Sequence, residues 1–496
     1  MSLVQKTISG TKWSAVSQFG RQGLGFIVTA ILARFVSPDA YGLLGMALVV
    51  TGFIDIFKDL GTSSALVQRR ELSDDLTSSI FWVNVLFGLL STGVVVVVAP
   101  WVALFYREPQ VVPILRVLSF SFVVSGLSIA QQALLTRQMA FDKLAHIELA
   151  SSAVGAVVGI GMAACGMGVW SLVGQALCGS IVITILLWIA SPWRMQRRLD
   201  WTEVRSVASY SLNLSGFNVF NYFVRNADNL IIGRYLGATA LGYYSLAYRL
   251  MLYPLQNISG VLGRVLFPIF VQMQDNNARF GRTYLRVCAS ISVITFPLML
   301  GLLAVAEPFI AVVFGPRWMP VATLLMILAP VGMAQSIGTT VGHIYKAKGR
   351  TDWMFHWSIF SGIITVLFFI LGLRWGVVGV AAAYAIWNFL LIYPNYAIPF
   401  KLIKLPVRDL VVALWPALKA SLVMAAGVAT LQVVLTWMSI TQPWLVLGIT
   451  VPVGVLIYGG WMLWRRPPVL RDIVHLLHLE RLTRLRRIAV HLGLAE

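Results

Sequence analysis

Apolar runs of about 20 residues, the length that crosses the hydrocarbon core as a helix, recur from end to end of this chain. Of its 496 residues, 58% are hydrophobic and only 11% are charged, whereas soluble domains carry roughly 25% charged residues. The mean hydropathy is +0.81, and no soluble domain of about 50 residues or more fits between the runs. We therefore predict an all-α protein that crosses a membrane many times.

We predict fourteen transmembrane helices from the positions of the apolar runs. The predicted spans are 13–35, 41–60, 78–99, 112–135, 145–165, 169–190, 210–233, 240–264, 286–306, 321–342, 355–373, 376–397, 411–433 and 443–464. Spans 1 and 7 are the least apolar, and polar side chains within a span usually face protein or water rather than lipid.

The net charge of +19 lies mainly in short loops and indicates topology. With the N-terminus placed in the cytoplasm, most of the 38 Lys and Arg residues fall on the cytoplasmic side, as the positive-inside rule requires. Both termini are then predicted to be cytoplasmic. Charge in such loops meets anionic lipid headgroups, so we expect membrane lipids as partners and no nucleic acid.

Three pairs of segments indicate an internal duplication, with offsets of about 200 residues within this one sequence. The pairs are 31–47 with 231–247, 100–106 with 308–314, and 168–174 with 376–382. Each half would hold six spans and enter from the same side, which makes a parallel repeat about an axis along the membrane normal. The predicted divisions are an N-lobe 1–200, a C-lobe 201–402, two extra helices in 403–464, and a basic amphipathic tail 465–496.

Charged residues inside spans are the candidates for function, because each costs roughly 2.5–3.5 kcal/mol to insert. Under the 200-residue offset Arg21 and Arg225 differ by one helical turn, so they should lie on equivalent faces of spans 1 and 7. Two guanidinium groups converging on a cleft would form a site for phosphate oxygens. In the alternative interpretation, Arg225 pairs with Asp228 and Arg21 extends to the headgroups.

Polar side chains accompany these arginines. Asn218, Asn221 and Tyr222 share a face with Arg225, and Gln18 is one of the polar residues beside Arg21. Such stripes suit a hydrated cavity that binds sugar hydroxyls, although hydrogen bonding between helices would give the same pattern. Three further charged residues are candidates: Arg249 for substrate binding, and Asp228 and Asp55 for coupling or charge pairing.

Catalytic and metal-binding patterns are not found in the sequence. Cys165, Cys178 and Cys288 form no CxxC pair, and the sequence contains no HExxH motif and no P-loop. We therefore predict no metal, no cofactor and no enzymatic activity.

Several segments resemble the polysaccharide transporter family, the Wzx-type flippases of lipid-linked oligosaccharides, in the branch similar to colanic acid exporters. The segments are KTISGTKWSAVSQ (6–18), ILARFVSPDAYGLLGMALV (31–49), DLGTSSALVQR (59–69), LGATALGYYSLAYRL (236–250) and VLFPIF (265–270). The resemblance implies the MOP superfamily fold, in which two six-helix lobes form a V, and two further helices. It also implies that an undecaprenyl-pyrophosphate-linked oligosaccharide moves between the leaflets of the bacterial inner membrane, with Arg21 and Arg225 as pyrophosphate ligands.

The resemblance further implies coupling to H⁺ or Na⁺ and cooperation with a polymerase or export machinery, and we expect a monomer. A drug or metabolite exporter of the same superfamily is one alternative, but it would favour carboxylates where this chain offers arginines. A membrane polymerase or ligase is the alternative of another class. Such enzymes need large outside loops, and here each outside loop has only about a dozen residues or fewer, given the length of a span.

Overall fold

A computed structural model describes residues 3–58, 73–196 and 201–465, together with residues 63, 66, 67 and 467. Within these ranges, the side chains of residues 3–12, 15, 58, 201–218 and 256–268 are not described. The predicted amphipathic tail, 465–496, lies almost wholly outside the described residues. The chain divides into two compact units, Met1–Ser245 and Leu246–Glu496.

The first unit is built from α-helices that follow the apolar runs. They are α1 (Leu3–Phe35), α2 (Pro38–Lys58), α3 (Asp74–Tyr106), α4 (Val111–Gly126), α5 (Ile129–Arg137), α6 (Phe141–Ala164) and α7 (Val169–Ala190). Ser73 begins α3 by accepting a hydrogen bond from the Leu76 amide, the usual means of satisfying a free N–H at a helix start. Helices α4 and α5 meet at an angle of 42°, the geometry of a broken span or of a re-entrant loop.

The next helix, α8 (Trp201–Gln272), joins the two units and contains two predicted spans. It is interrupted at Gly237, which has φ 83° and ψ 179°, a conformation that is open to glycine and strained for other residues. The prediction placed a loop between residues 233 and 240, but the helical conformation resumes immediately after this single glycine. The break therefore needs no separate loop.

The second unit continues after α8 with helices that again follow the predicted spans. They are α9 (Asn277–Ala304), α10 (Ala306–Val313), α11 (Met319–Gly338), α12 (Val341–Ala347), α13 (Thr351–Gly372), α14 (Gly376–Leu390), α15 (Ile392–Ile403), α16 (Val407–Trp437) and α17 (Pro443–Arg465). Short 3₁₀ turns, Pro316–Trp318 and Leu373–Trp375, lead into α11 and α14. The core of this unit includes the rings of Phe270, Phe280 and Tyr284.

All fourteen predicted spans coincide with helices of the described chain, and α8 accounts for two of them. By length and hydropathy alone, nine helical segments of the described residues qualify as membrane spans, or ten when the bent α4–α5 pair is included. The difference arises partly because neither α1 nor α8 is among these segments, and both helices contain residues whose side chains are not described. In addition, one 53-residue segment, Thr351–Ile403, is counted once although it contains α13, α14 and α15.

Two glycines allow α2 to approach the part of α8 that follows Gly237. A Cβ placed on Gly42 would lie 1.7 Å from the Ala238 carbonyl oxygen, and one on Gly242 would lie 1.9 Å from the Pro38 carbonyl oxygen. The Thr239 hydroxyl also lies 3.4 Å from the Asp39 carboxylate. Close backbone approach through small residues is typical of helix packing in membranes. These contacts join the first and second copies of the segment that is repeated in the sequence.

Candidate functional site

Helices α1 and α6 pack side by side in the first unit and position the Arg21 side chain. The Trp13 ring lies 4.9 Å from the His146 ring. Two turns further along α1, a Cβ on Gly20 would lie 2.8 Å from the Leu149 side chain, so glycine keeps the helices close. The absence of a side chain at Gly20 brings the neighbouring Arg21 within reach of α6.

The Arg21 guanidinium forms an ion pair with Glu148 of α6. Its Nη2 lies 3.4 Å from Glu148 Oε2, with exposed side-chain fractions of 44% for Arg21 and 20% for Glu148. The same carboxylate oxygen accepts a hydrogen bond of 2.5 Å from the hydroxyl of Ser17, which is buried. The alternative in which Arg21 only extends to the headgroups is therefore incomplete, because its charge has an internal partner.

Arg225 is exposed on the part of α8 that precedes Gly237, whereas Asp228 is only 3% exposed. Asp228 Oδ2 accepts a hydrogen bond of 3.0 Å from the Tyr244 hydroxyl, and Oδ1 accepts one of 2.7 Å from the Asn229 amide. The two residues form no ion pair, so the predicted alternative of an Arg225–Asp228 pair is wrong. The reason is that Asp228 turns toward Tyr244, beyond the break at Gly237.

Tyr222 lies at a contact between helices. Its hydroxyl donates a hydrogen bond of 2.6 Å to the Val49 carbonyl oxygen of α2, and its ring centroid lies 6.0 Å from that of Phe53. A Cβ on Gly52 would lie 2.6 Å from the hydroxyl oxygen. Tyr222 therefore connects α8 to α2. This contact agrees with the alternative interpretation of the polar stripe of span 7, in which its side chains form hydrogen bonds between helices.

The remaining candidates lie on α1, α2 and α8. Gln18 and Asn221 are partly buried, Asp55 is exposed on α2, and Arg249 is exposed on α8 in the second unit. The side chain of Asn218 lies outside the described residues. The role of each of these residues in binding or coupling stays a prediction.

Two residues of this site were missed in the sequence, Glu148 and Tyr244. Glu148 is a carboxylate within predicted span 5, and a search for acidic as well as basic residues within spans would have found it. Tyr244 is buried and lies sixteen residues after its partner Asp228. The sequence carries no local indication of that contact, because it depends on the break at Gly237.

Among the described residues, no group of three or more His, Cys, Asp or Glu side chains could hold a metal ion. The cysteines Cys165, Cys178 and Cys288 are free thiols. The chemistry that the described site offers is therefore charge pairing and hydrogen bonding, with guanidinium groups as donors to anions and carboxylates as acceptors.

The fold is similar to that of a known membrane transporter. The chain matches the structure of the lipid II flippase MurJ in an inward closed conformation, with a TM-score of 0.72 and 16% identity, over 92% of this chain and 98% of that one. Because this identity is low, the match establishes the architecture alone. Fold and hydropathy together define an all-α protein that crosses the membrane many times.

A family model described as "Polysaccharide biosynthesis protein" matches residues 31–323, and the chain belongs to this family. It is 28% identical to the lipopolysaccharide biosynthesis protein WzxC of Escherichia coli (strain K12), over 84% of this chain and 85% of that protein. It is 29% identical to the succinoglycan biosynthesis transport protein ExoT of Rhizobium meliloti (strain 1021), over 71% and 72% of the two chains. The resemblance to polysaccharide transporters noted in the sequence is thereby confirmed.

Proposed function

We propose that this protein moves undecaprenyl-pyrophosphate-linked oligosaccharide repeat units across the bacterial inner membrane by alternating access, for exopolysaccharide, capsule or O-antigen synthesis. The observation that carries the proposal is the family match over residues 31–323. Relatives named for the synthesis of lipopolysaccharide and the transport of succinoglycan support it. The similarity in fold to a lipid II flippase is consistent with a lipid-linked substrate, and the names of these proteins favour a transporter over an enzyme.

Arg21 and Arg225 are the proposed ligands of the pyrophosphate. Both are exposed on helices that are predicted to lie in the membrane, where an arginine is costly unless it meets water, an anion or a counter-ion. A guanidinium presents five N–H donors in a planar fork that matches phosphate oxygens. In this proposal Asn218, Asn221, Gln18 and Arg249 contact the polar part of the substrate.

Coupling to H⁺ or Na⁺ is proposed to involve Asp228, with Asp55 as the second candidate. The Asp228 carboxylate is buried, and its contact with Tyr244 joins the two parts of α8. A change in its charge would therefore act on the break at Gly237. Asp55 is exposed on α2.

The protein is further proposed to act as a monomer with both termini in the cytoplasm, alongside a polymerase or other export machinery. The arrangement of Lys and Arg in the loops supports this orientation. The rival function, export of drugs or metabolites, is disfavoured by the arginines at the site, because a cationic drug would be repelled there.

Reconstitution in liposomes tests the proposal directly. The assay measures transfer of a fluorescent undecaprenyl-pyrophosphate-linked glycan between leaflets, with a fluorescent cationic drug in parallel vesicles. We expect transfer of the glycolipid and not of the drug. Transfer of the drug alone would establish the exporter instead.

Variants test the arginines in the same vesicles. Arg21→Ala and Arg225→Ala should each slow transfer about tenfold or more, since a hydrogen bond to a charged group contributes about 1.5–3 kcal/mol. Arg116→Ala is the matched control, because it removes the same charge from another exposed arginine of the first unit. Wild-type transfer by an abundant Arg225→Ala protein would refute the role of that residue.

A further inference from the structure

Glu148 is the charged partner of Arg21, and neither the family match nor the sequence assigned it a role. It lies two turns into α6 (Phe141–Ala164), a helix long and apolar enough to cross the membrane. A carboxylate in such a helix is costly and is retained when it is paired or functional. Its pairing with Arg21 offsets part of that cost. The function of the ion pair itself is then the question.

Glu148 Oε2 lies closer to its partner Ser17 than to its partner Arg21. The distance of 3.4 Å between Arg21 Nη2 and Glu148 Oε2 exceeds the 2.7–2.9 Å usual for a charge-assisted bond. By contrast, Ser17 holds the same oxygen at 2.5 Å and is itself buried. The carboxylate is therefore fixed by Ser17, while the guanidinium contact is the weaker of the two.

A diphosphate would compete with Glu148 for the guanidinium. Both present oxygen acceptors to the same N–H donors. The diphosphate carries more negative charge and can accept hydrogen bonds from more of the guanidinium N–H groups. Arg21 is the more exposed partner, so a ligand can approach it without first displacing Ser17. After exchange, Glu148 would still keep the hydrogen bond from Ser17.

From these contacts we infer that Glu148 is an internal counter-ion. It pairs with the Arg21 guanidinium when no substrate is bound, and the anionic diphosphate headgroup displaces it. It acts as a positioning residue that lowers the affinity of the site for anions and so favours release of the headgroup after transfer. This inference rests on the proposed function of Arg21 as an anion ligand.

A double-mutant cycle on anion binding tests the inference. The affinity of purified protein in nanodiscs for undecaprenyl pyrophosphate is measured at low salt, with undecaprenol as the neutral lipid and inorganic pyrophosphate as the free anion. Glu148→Gln keeps the size of the side chain and an acceptor for Ser17 but removes the charge. Asp142→Asn is the matched control, since it removes the same charge from an exposed position of the same helix.

We expect Glu148→Gln to bind undecaprenyl pyrophosphate about two- to fivefold more tightly than wild type, as for loss of an ion pair of modest strength. Asp142→Asn should bind as wild type does. Inorganic pyrophosphate should show the same gain, and undecaprenol should show none. Arg21→Ala should bind weakly, and Glu148→Gln should add nothing to it, because the competition needs both partners.

The outcomes distinguish the role of Arg21 as an anion ligand from the role of Glu148 as its competitor. If Arg21→Ala weakens binding but Glu148→Gln binds no more tightly than wild type, Glu148 is not a competitor and the inference fails while the proposed anion site stands. If Arg21→Ala binds as wild type does, the proposed role of Arg21 fails and the inference fails with it. Should Glu148→Gln not fold, Glu148→Asp serves instead, because its shorter side chain withdraws the carboxylate from Arg21 and should also tighten binding.

Discussion

The contact between α2 and the second part of α8 gives a sharp prediction, because a single methyl group should disrupt it. Real Cβ atoms essentially never approach another heavy atom to within 3.0 Å, yet a Cβ on Gly42 would lie 1.7 Å from the Ala238 carbonyl oxygen. The colliding atom belongs to the backbone, so no side-chain rotation can relieve the clash. Gly42→Ala would have to push the helices apart by more than about 1 Å in a closely packed interior.

Two opposing effects set the size of the change in unfolding free energy. Alanine is favoured over glycine inside a helix by roughly 0.5–1 kcal/mol. Overpacking a close contact costs roughly 1–3 kcal/mol and occasionally more. Because a carbonyl on a packed helix cannot move alone, we expect the upper end of that cost. The net destabilisation of Gly42→Ala should then be about 2 kcal/mol.

Thermal stability in detergent measures this effect, as the apparent melting midpoint of the monodisperse protein peak. Gly93→Ala and Gly161→Ala are matched controls, because both glycines lie within helices and a Cβ on either meets no atom within 4 Å. These controls should melt at or above the wild-type midpoint, whereas Gly42→Ala and Gly242→Ala should melt below it. A Gly42→Ala protein as stable as the controls would refute the reasoning.

Three further predictions follow from single contacts. Tyr244→Phe should lower the free energy of unfolding by about 1.5–3 kcal/mol, because buried Asp228 loses a donor to its carboxylate; a melting midpoint equal to that of wild type would contradict it. Tyr222→Phe should cost about 0.5–1.5 kcal/mol in the same assay, since only a neutral hydrogen bond to a main-chain oxygen of α2 is lost; a loss exceeding that of Tyr244→Phe would contradict the ranking. Burial, and then the charge of Asp39, raise the pKa of Glu108 in the loop between α3 and α4, so ionisation of Glu108 opposes folding as the pH rises through its folded-state pKa. Glu108→Gln should therefore melt above wild type at neutral pH, and this gain should disappear as the pH falls below the ordinary range of a glutamate; a gain independent of pH would contradict it.

The helices could be predicted from the sequence because they depend on local patterns. A run of apolar residues specifies a membrane helix without reference to its neighbours, and so each predicted span has a helix. The predicted junction between spans 7 and 8 was less accurate than the spans themselves, because Gly237 breaks the helix within a single residue. Hydropathy averages over many residues and does not resolve such a break.

The partners of the charged residues could not be predicted in the same way. Ser17 and Glu148 lie 131 residues apart, and their contact exists only because α1 packs against α6. Arg225 and Asp228 are close in sequence, so the pairing rule for helices favoured them, but the Tyr244 hydroxyl competes successfully for the carboxylate. Tertiary packing therefore decided each pairing.

The reciprocal contact between the repeat copies explains a coincidence in the sequence. Gly42 meets Ala238, and Gly242 meets Pro38, so each glycine contacts the residue four positions before its counterpart. Exchange of the two copies leaves this set of contacts unchanged, which is the property of an interface about a twofold axis. Where two equivalent backbones meet so closely, a side chain on either would clash with the other. Glycine at both positions is then a consequence of the pseudo-symmetry, and the equal loss of stability expected for Gly42→Ala and Gly242→Ala is its measurable form.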